Sequence, residues 1–252
     1  MPVAYTLLLR TGAAAPEPTH EDLHRLACRL VEPPGNPAHQ DQRKPFTLWP
    51  LQVAPERGDE CQLRLNWLPV DDGLGSHLRL ALGRRLWLGT AEVVPLDVDR
   101  QGTSYQTLRD LPPLWQADLR FLSPTYFSRS GRDYLLPDPA LIVRSLVVRW
   151  NEQVEERPAL AIDGDVAREL GRRVILKAHE LYTVRVTGAD GRPRTGFKGQ
   201  ARLGLRTAER RSAEGVACAR LLATLCAFVP YCGLGAQTTH GLGAVAVYSA
   251  DG

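Results

Sequence analysis

The sequence predicts an α+β protein with two tandem domains, each with the element order βαββαβ. The first observation is that strand-like and helix-like patterns follow this order once in each half of the chain. The second is a proline-containing break at residues 111–114, after which the order begins again. The third is the length, because 252 residues suffice for two domains of ordinary size. Two such units in succession predict two ferredoxin-like domains, at residues 1–113 and 114–252.

The first half starts with an apolar strand at residues 3–9. A helix follows it, because Thr19 and Asp22 form a capping pattern before apolar residues that recur at helical spacing. Leucines alternate with polar residues from 61 to 68, as in a strand with one buried face. The remaining predicted elements are a strand at 44–51, a short helix at 78–82 and a strand at 86–98.

The second half repeats this order without evident sequence identity to the first. Its predicted elements are a strand at 117–122, an amphipathic helix at 139–155, two paired strands at 174–186 and 197–205, a helix at 212–229 and a strand at 244–248. The two paired strands flank a turn containing Gly188 and Gly191, which is typical of a hairpin.

The charge is mild overall but unevenly distributed. The net charge is +3 and 44% of the residues are hydrophobic, as in a soluble globular protein. Residues 185–211 form a basic stripe that contains only two acidic residues, Asp190 and Glu209. Such a stripe either follows a phosphate backbone or is a solvated surface.

The cysteines indicate neither a disulfide framework nor a zinc site. The chain has five of them, an odd number, without a Cys-x-x-Cys spacing. His20, His24 and Cys28 share one face of the first helix, but no further ligand follows nearby, so no metal is expected. The apolar run at residues 3–9 is too short for a membrane span. We therefore expect a cytoplasmic protein that has no contact with a membrane.

A glycine-rich segment near the C-terminus, which we call the glycine loop, spans residues 233–243. It contains two Gly-Leu-Gly units separated by five residues. Glycine permits close backbone approach and positive φ, so the loop is predicted to turn its N–H groups toward an anion. Thr238 stands where a dinucleotide-binding loop needs glycine, and no Walker sequence is present. A glycine-rich loop without a ligand is the alternative.

Four segments together resemble one family. They are His39 shortly before residues 44–47, the run at 121–127, the run at 195–199, and the glycine loop. In this order they resemble the CRISPR-associated endoribonucleases of the sixth Cas family, which belong to the RAMP superfamily of tandem ferredoxin-like proteins. The resemblance implies metal-independent cleavage of precursor CRISPR RNA within its repeats, without a cofactor. It implies repeat RNA as the partner, and leaves effector-complex proteins and a monomeric or homodimeric state open.

The resemblance also implies the catalytic residues. His39 lies in the loop where the family has its catalytic histidine, and an imidazole titrates near neutrality. Lys44, Arg43 and Arg25 are candidates for neutralising the phosphate in the transition state. For each of these residues the alternative is a solvated side chain without a catalytic role.

RNA binding is assigned to the second domain. The predicted RNA-binding residues are Arg192, Arg194, Lys198, Arg202, Gly233, Gly235, Gln237, Thr238, His240, Gly241 and Gly243. Recognition would favour phosphates, shape and unpaired flanks, because helical RNA hides its bases in a deep groove. Two other hypotheses stay open: a RAMP protein that binds guide RNA without cutting it, and a metabolic ferredoxin-like protein that binds a small phosphorylated ligand.

Overall fold

The computed structural model describes residues 1–12, 17–31, 44–53, 58–70, 73–129, 132–188 and 191–249. The described residues form two antiparallel sheets of four or more strands, one in each half of the chain, and each sheet packs against helices. Both halves have a buried apolar core, as the sequence predicts.

The first sheet has the strand order β2-β4-β1-β6-β5, and β3 also pairs with β4. Omitting the short strands β3 and β5 leaves β2-β4-β1-β6, which is the ferredoxin-like order of a βαββαβ unit. The elements of this half are β1 (Val3–Thr11), α1 (His20–Val31), β2 (Phe46–Leu48), β3 (Gln52–Val53), β4 (Glu60–Trp67), α2 (Leu74–Leu80), β5 (Leu86–Leu88) and β6 (Ala91–Gly102).

Helix α1 begins as predicted. The Thr19 hydroxyl donates to Asp22 Oδ2 over 2.6 Å, and the Asp22 amide donates to Thr19 Oγ1 over 3.2 Å. These reciprocal bonds satisfy groups that a helix N-terminus leaves without intrahelical partners. The buried face of α1 contains Leu23, Leu26 and Leu30, which pack in the first core.

Two predicted elements of the first half need correction. The run at 86–98 is not one strand but a hairpin of β5 and β6, in which Leu88 pairs with Ala91. Gly89 makes the turn with a φ of +62°, a value that side chains disfavour. The short helix predicted at 78–82 starts earlier and spans Leu74–Leu80.

The second sheet has the order β10-β11-β7-β12, again the ferredoxin-like order. The elements are α3 (Tyr105–Arg109), β7 (Gln116–Thr125), β8 (Phe127–Arg129), β9 (Arg132–Tyr134), α4 (Pro139–Gln153), α5 (Gly164–Arg173), β10 (Ile175–Thr187), β11 (Pro193–Gly204), α6 (Ala213–Cys232) and β12 (Val245–Ser249). The predicted fold class, two tandem ferredoxin-like domains, is confirmed.

Helix α5 and the hairpin of β8 and β9 were not predicted. Helix α5 is only ten residues long and buries only Leu170, so its apolar stripe is too short to mark a helix in the sequence. Its start is fixed by Asp163, whose carboxylate accepts from the amides of Asp165 and Val166. A capping residue followed by so few apolar residues is a weak signal.

Helix α3 packs in the second core although it precedes the proline-containing break. Tyr105 meets Trp150 edge-on at a centroid distance of 4.9 Å, and its hydroxyl donates to the Leu68 carbonyl over 2.6 Å. Tyr105 therefore links the end of the first sheet to the second core. The boundary between residues 113 and 114 stays a prediction.

Helix α6 is long and apolar enough to cross a membrane by length and composition, with a mean hydropathy of 1.6 in its most apolar window. Of that window, 67% is buried inside the protein, where Leu222, Leu225 and Phe228 contribute to the second core. Buried core helices commonly have this composition, so it is weak evidence for a membrane.

Candidate functional site

The glycine loop follows α6 and takes a path that requires glycine. Gly233, Gly235, Gly241 and Gly243 have φ values of +66°, +79°, +80° and +65°. Gln237 is the non-glycine residue with positive φ in the described part of the chain, at +57°. Its buried amide oxygen has no hydrogen-bond partner among the described residues.

The loop packs so closely on the protein that side chains are excluded at Gly233, Gly235 and Gly243. A Cβ atom on Gly243 would lie 1.9 Å from the Leu234 carbonyl oxygen. At Gly235, a Cβ would lie 2.3 Å from the carbonyl oxygen of Tyr126, the residue after β7. The requirement for glycine at these positions therefore comes from contacts within the chain.

Several N–H groups of the glycine loop donate to carbonyl groups of the protein. The Ala236 amide donates to Tyr126 over 2.9 Å, and the Gly243 amide donates to Pro124 over 3.0 Å. Within the loop, the Leu234 amide donates to Gly243 over 2.8 Å. These three groups are directed at the chain itself, so the prediction of N–H groups turned toward an anion does not hold for them.

An arginine side chain from α4, Arg149, binds the start of the glycine loop. The Arg149 guanidinium donates to the carbonyl oxygens of Cys232 and Gly233, and to that of Gly235 over 2.6 Å. Arg149 and Gly235 also line a cavity of about 860 Å³ between α4 and the segment that begins at Phe127. This arginine thus stabilises the loop through its backbone.

Helix α1 of the first domain contacts the other side of the glycine loop. His20 Nδ1 donates to the His240 carbonyl over 2.9 Å, and His24 Nδ1 donates to the Thr239 carbonyl over 2.9 Å. Because carbonyl oxygens only accept, both Nδ1 atoms must carry hydrogen. The His24 ring also stacks on the His240 ring at a centroid distance of 3.9 Å. The sequence did not reveal this contact between α1 and the loop.

Two of the histidines at this contact, His20 and His240, have a lowered pKa, which favours the neutral form. Burial lowers the pKa of His240 to about 4, and repulsion by positive charge on His24 and His20 adds to this effect. Burial also lowers the pKa of His20, against the opposing effect of its bond to the His240 carbonyl. The Glu21 carboxylate lies 3.7 Å from His240 Nε2.

A second set of bonds joins β2 and the residue after it to the end of α6. The Thr47 hydroxyl donates to the Tyr231 carbonyl over 2.5 Å and accepts from Asn66 Nδ2 over 3.0 Å. Trp49 Nε1 donates to the Pro230 carbonyl over 3.2 Å. Asn66 is fully buried, so its bond to Thr47 satisfies a polar group that has no access to water.

The contact of α1 with the glycine loop and the contact of the β2 region with the end of α6 lie on either side of the segment that contains the predicted catalytic histidine. Helix α1 ends at Val31 and the described residues resume at Lys44, so His39 and Arg43 lie outside them. Lys44 is half-buried. The predicted phosphate ligand Arg25 is exposed and pairs with Glu21 over 3.0 Å. The structure therefore places the two flanks of this segment against the second domain.

The predicted RNA-binding cations of β11 differ in their surroundings. Arg202 makes two bonds to the Asp118 carboxylate, at 2.7 and 2.9 Å, and these bonds lower the pKa of Asp118. Arg194 lies 3.4 Å from Asp133. Lys198 lines a depression on the outer face of the second sheet, and Arg192, just before β11, is exposed.

No group of three metal-ligating side chains converges anywhere in the described ranges. His24 Nε2 and Cys28 Sγ are 3.5 Å apart, but His20 directs its Nδ1 atom at the His240 carbonyl. All five cysteines are buried and none forms a disulfide.

The fold and this site define a tandem ferredoxin-like protein whose C-terminal glycine loop is bound by the first helix. The sequence model of CRISPR-associated endoribonuclease Cas6 matches residues 119–245, about half of the chain. The chain belongs to the Cas6 family of CRISPR-associated, RNA-cleaving enzymes. A comparison with curated protein sequences finds no match.

Solved structures of Cas6 proteins are similar over nearly the whole chain. A product complex of Cas6 (TTHA0078) is 27% identical with a TM-score of 0.78, over 99% of this chain and 100% of that chain. A product complex of Cas6 (TTHB231), a Thermus thermophilus protein, is 29% identical with a TM-score of 0.78, over 98% and 100%. A Cas6-related protein from Pyrococcus furiosus, 12% identical over 100% of both chains with a TM-score of 0.61, shares the fold.

Proposed function

We propose that this protein is a metal-independent endoribonuclease that cleaves precursor CRISPR RNA within its repeats to give guide RNA. The observation that carries the proposal is the Cas6 match over residues 119–245. Two similar proteins were solved as product complexes, and one of them also as a substrate mimic complex. These relatives support an RNA repeat as the substrate of this chain.

In the proposed reaction, the ribose 2′-oxygen next to the scissile phosphate attacks phosphorus. The bond from phosphorus to the 5′-oxygen breaks, which leaves a cyclic phosphate and a 5′-hydroxyl. A base must take the 2′-hydroxyl proton and an acid must protonate the leaving 5′-oxygen. We assign His39 to one of these proton transfers. Lys44, Arg43 and Arg25 are the candidates for stabilising the negative charge that develops on the phosphate.

The geometry supports this assignment through the flanks of the segment that contains His39. Before it, α1 donates two hydrogen bonds to the glycine loop through His20 and His24. After it, Thr47 and Trp49 donate to carbonyls at the end of α6. Catalysis by positioned side chains requires a rigid frame, and these bonds hold both flanks against the second domain.

The experiment is cleavage of labelled repeat RNA from the CRISPR array of the source genome, in excess EDTA. We expect cleavage at one position within the repeat. The product should carry a cyclic phosphate, and a 2′-deoxy substitution at the cut site should abolish the reaction. His39→Ala should lower the rate about 10²- to 10⁴-fold, the usual contribution of a general acid or base. His77→Ala changes an exposed histidine of α2 and serves as the matched control.

Each alternative has a distinct outcome. Tight binding of intact RNA without cleavage would indicate a RAMP subunit that holds guide RNA. Cleavage that requires added metal would contradict the mechanism. Unchanged cleavage by His39→Ala would support the enzymatic function but show that His39 is not a catalytic residue. Association with effector-complex proteins and a monomeric or homodimeric state belong to the same proposal, and sedimentation with and without RNA tests the latter.

A further inference from the structure

The outer face of the second sheet contains a depression that the catalytic proposal does not use. It has a volume of about 320 Å³ and lies where β7, β10 and β11 run side by side. This volume is at the lower end of the range for small-molecule sites in proteins. The depression is therefore large enough for one small ligand or one residue of a polymer.

The depression lies at an irregularity in β11. Gly199 has a φ of +124°, and the pairing of β11 with β7 shifts register between Phe197 and Gly199. A Cβ atom on Gly199 would lie 2.1 Å from the Glu180 carbonyl oxygen, so only glycine fits there. Bulges of this kind redirect side chains and often occur at functional positions.

The side chains around the depression combine an aromatic ring with charges of both signs. Tyr182 on β10 is 58% exposed and lies opposite Lys198 in the strand register. Gln200 lies opposite Glu180 on one side and Arg120 on the other. An exposed ring with two cations, a carboxylate and an amide around it offers stacking, phosphate binding and hydrogen bonds to a base edge.

These five side chains have no hydrogen-bond or ion-pair partner among the described residues. Their neighbours on the same face differ, because Arg202 and Asp118 are paired through two hydrogen bonds. The sheet therefore neutralises one arginine internally and leaves Arg120 and Lys198 available to an external anion.

We propose that this depression binds one unpaired nucleotide of the RNA substrate. Tyr182 stacks on the base, Arg120 and Lys198 contact the adjacent phosphates, and Glu180 and Gln200 bond to the base edge. A single nucleotide unites an aromatic face, an anion and a polar edge, which are the features that these side chains complement. The inference rests on the proposed function, because it places part of the repeat RNA at this site.

The test measures binding of repeat RNA that is protected from cleavage by a 2′-deoxy substitution at the cut site. Each nucleotide outside base pairs is replaced in turn by an abasic residue. Affinity is measured for the wild type, Tyr182→Ala and Tyr182→Phe. The control is Tyr248→Ala, because Tyr248 is 53% exposed and lies on the same face on β12, outside the depression.

We expect one abasic position to weaken binding to the wild type about tenfold, within the usual range for base–aromatic stacking. The same substitution should have no further effect on Tyr182→Ala, while Tyr182→Phe and Tyr248→Ala should behave like the wild type. Uridine and adenosine monophosphates, added as competitors, should not displace the RNA at micromolar concentration, since the phosphates on both sides contribute. Displacement by them would instead indicate a site for free mononucleotides and overturn the proposal.

Two further outcomes separate this site from the function. In the first outcome, the wild type binds and cleaves the repeat, but every abasic position weakens binding to Tyr182→Ala as much as binding to the wild type. The depression is then not a nucleotide site, although the proposed enzymatic function is retained. If the wild type neither binds nor cleaves the repeat, both proposals fail. An equal loss in Tyr248→Ala would indicate a diffuse surface and contradict a discrete site.

Discussion

The imidazole of His24 stacks on the imidazole of His240, with ring centroids 3.9 Å apart and planes inclined by 11°. One ring belongs to the first domain and the other to the glycine loop. Burial lowers the pKa of His240, and the repulsion that a positive charge on His24 would exert at this separation lowers it further. The contact between the domains therefore favours the neutral form of His240.

Acidification is expected to destabilise this contact. Burial lowers the pKa of His240 from its ordinary 6.5 to about 4 in the folded protein. Above pH 6.5, His240 is neutral in both the folded and the unfolded protein. Between about pH 6.5 and 4 only the unfolded state binds the proton, so the free energy of unfolding falls as the pH falls. Urea unfolding at pH 7.5, 6.5 and 5.5 measures this trend.

The matched variant is His240→Asn, which cannot take up a proton. Its free energy of unfolding should change less between pH 7.5 and 5.5 than that of the wild type, even if the variant is less stable throughout. An exposed histidine replaced in the same way, His77→Asn, should retain the wild-type slope. Equal slopes for wild type and His240→Asn would mean that His240 does not account for the pH dependence.

Replacing Gly243 tests the close packing of the glycine loop. Gly243→Ala should lower the free energy of unfolding by at least about 3 kcal/mol, since it combines positive φ with a clash against the Leu234 carbonyl. Gly191→Ala is the control, because Gly191 also has positive φ but open space around it. It should cost about 1–2 kcal/mol. Chemical denaturation compares the two, and similar losses would contradict tight packing of the loop.

Removal of the Thr47 hydroxyl tests the junction at the end of α6. Thr47→Val leaves Asn66 Nδ2 and the Tyr231 carbonyl without this partner in a buried site. We expect a loss of about 2 kcal/mol in the free energy of unfolding and a slower cleavage rate. Thr183→Val, at an exposed position of β10, should change stability by less than about 0.5 kcal/mol. If Thr47→Val left the free energy of unfolding unchanged, this hydrogen bond would not contribute to holding the domains together.

Charge reversal tests the predicted RNA surface around β11. Arg192→Glu combined with Arg194→Glu should weaken binding of repeat RNA about tenfold or more. It should also reduce the steepness of the salt dependence by about 2, one for each phosphate that the variant no longer neutralises. The same reversal at Arg168 and Arg172 of α5 supplies a control of equal charge. The measurement is a set of binding curves at several salt concentrations. Unchanged affinity of the variant with both substitutions at 192 and 194 would mean that the RNA binds elsewhere.

Much of the fold could be predicted because its elements carry local signals. The pattern that starts at Thr19 gives the cap and buried face of α1, and alternation along β4 gives a strand with one apolar face. The hairpin of β5 and β6 was predicted as one strand, since the apolar run obscured the turn at Gly89. Helix α5 was missed because only Leu170 is buried.

The site was less predictable because long-range contacts create it. The glycines of the loop suggested an anion, but Gly235 and Gly243 are required by carbonyls of Tyr126 and Leu234. Nothing in the spacing of His20 and His24 indicates that they bind a loop more than two hundred residues away. The pairing of Arg202 with Asp118 likewise depends on strand register, which a single sequence does not specify.

The four hydrogen bonds described between the first domain and the α6–glycine loop region all end on backbone carbonyl oxygens. Every residue type has such an oxygen, so the acceptor positions at 230, 231, 239 and 240 can change identity without losing the bond. These four hydrogen bonds therefore constrain the backbone path of the segment rather than the identity of the four acceptor residues.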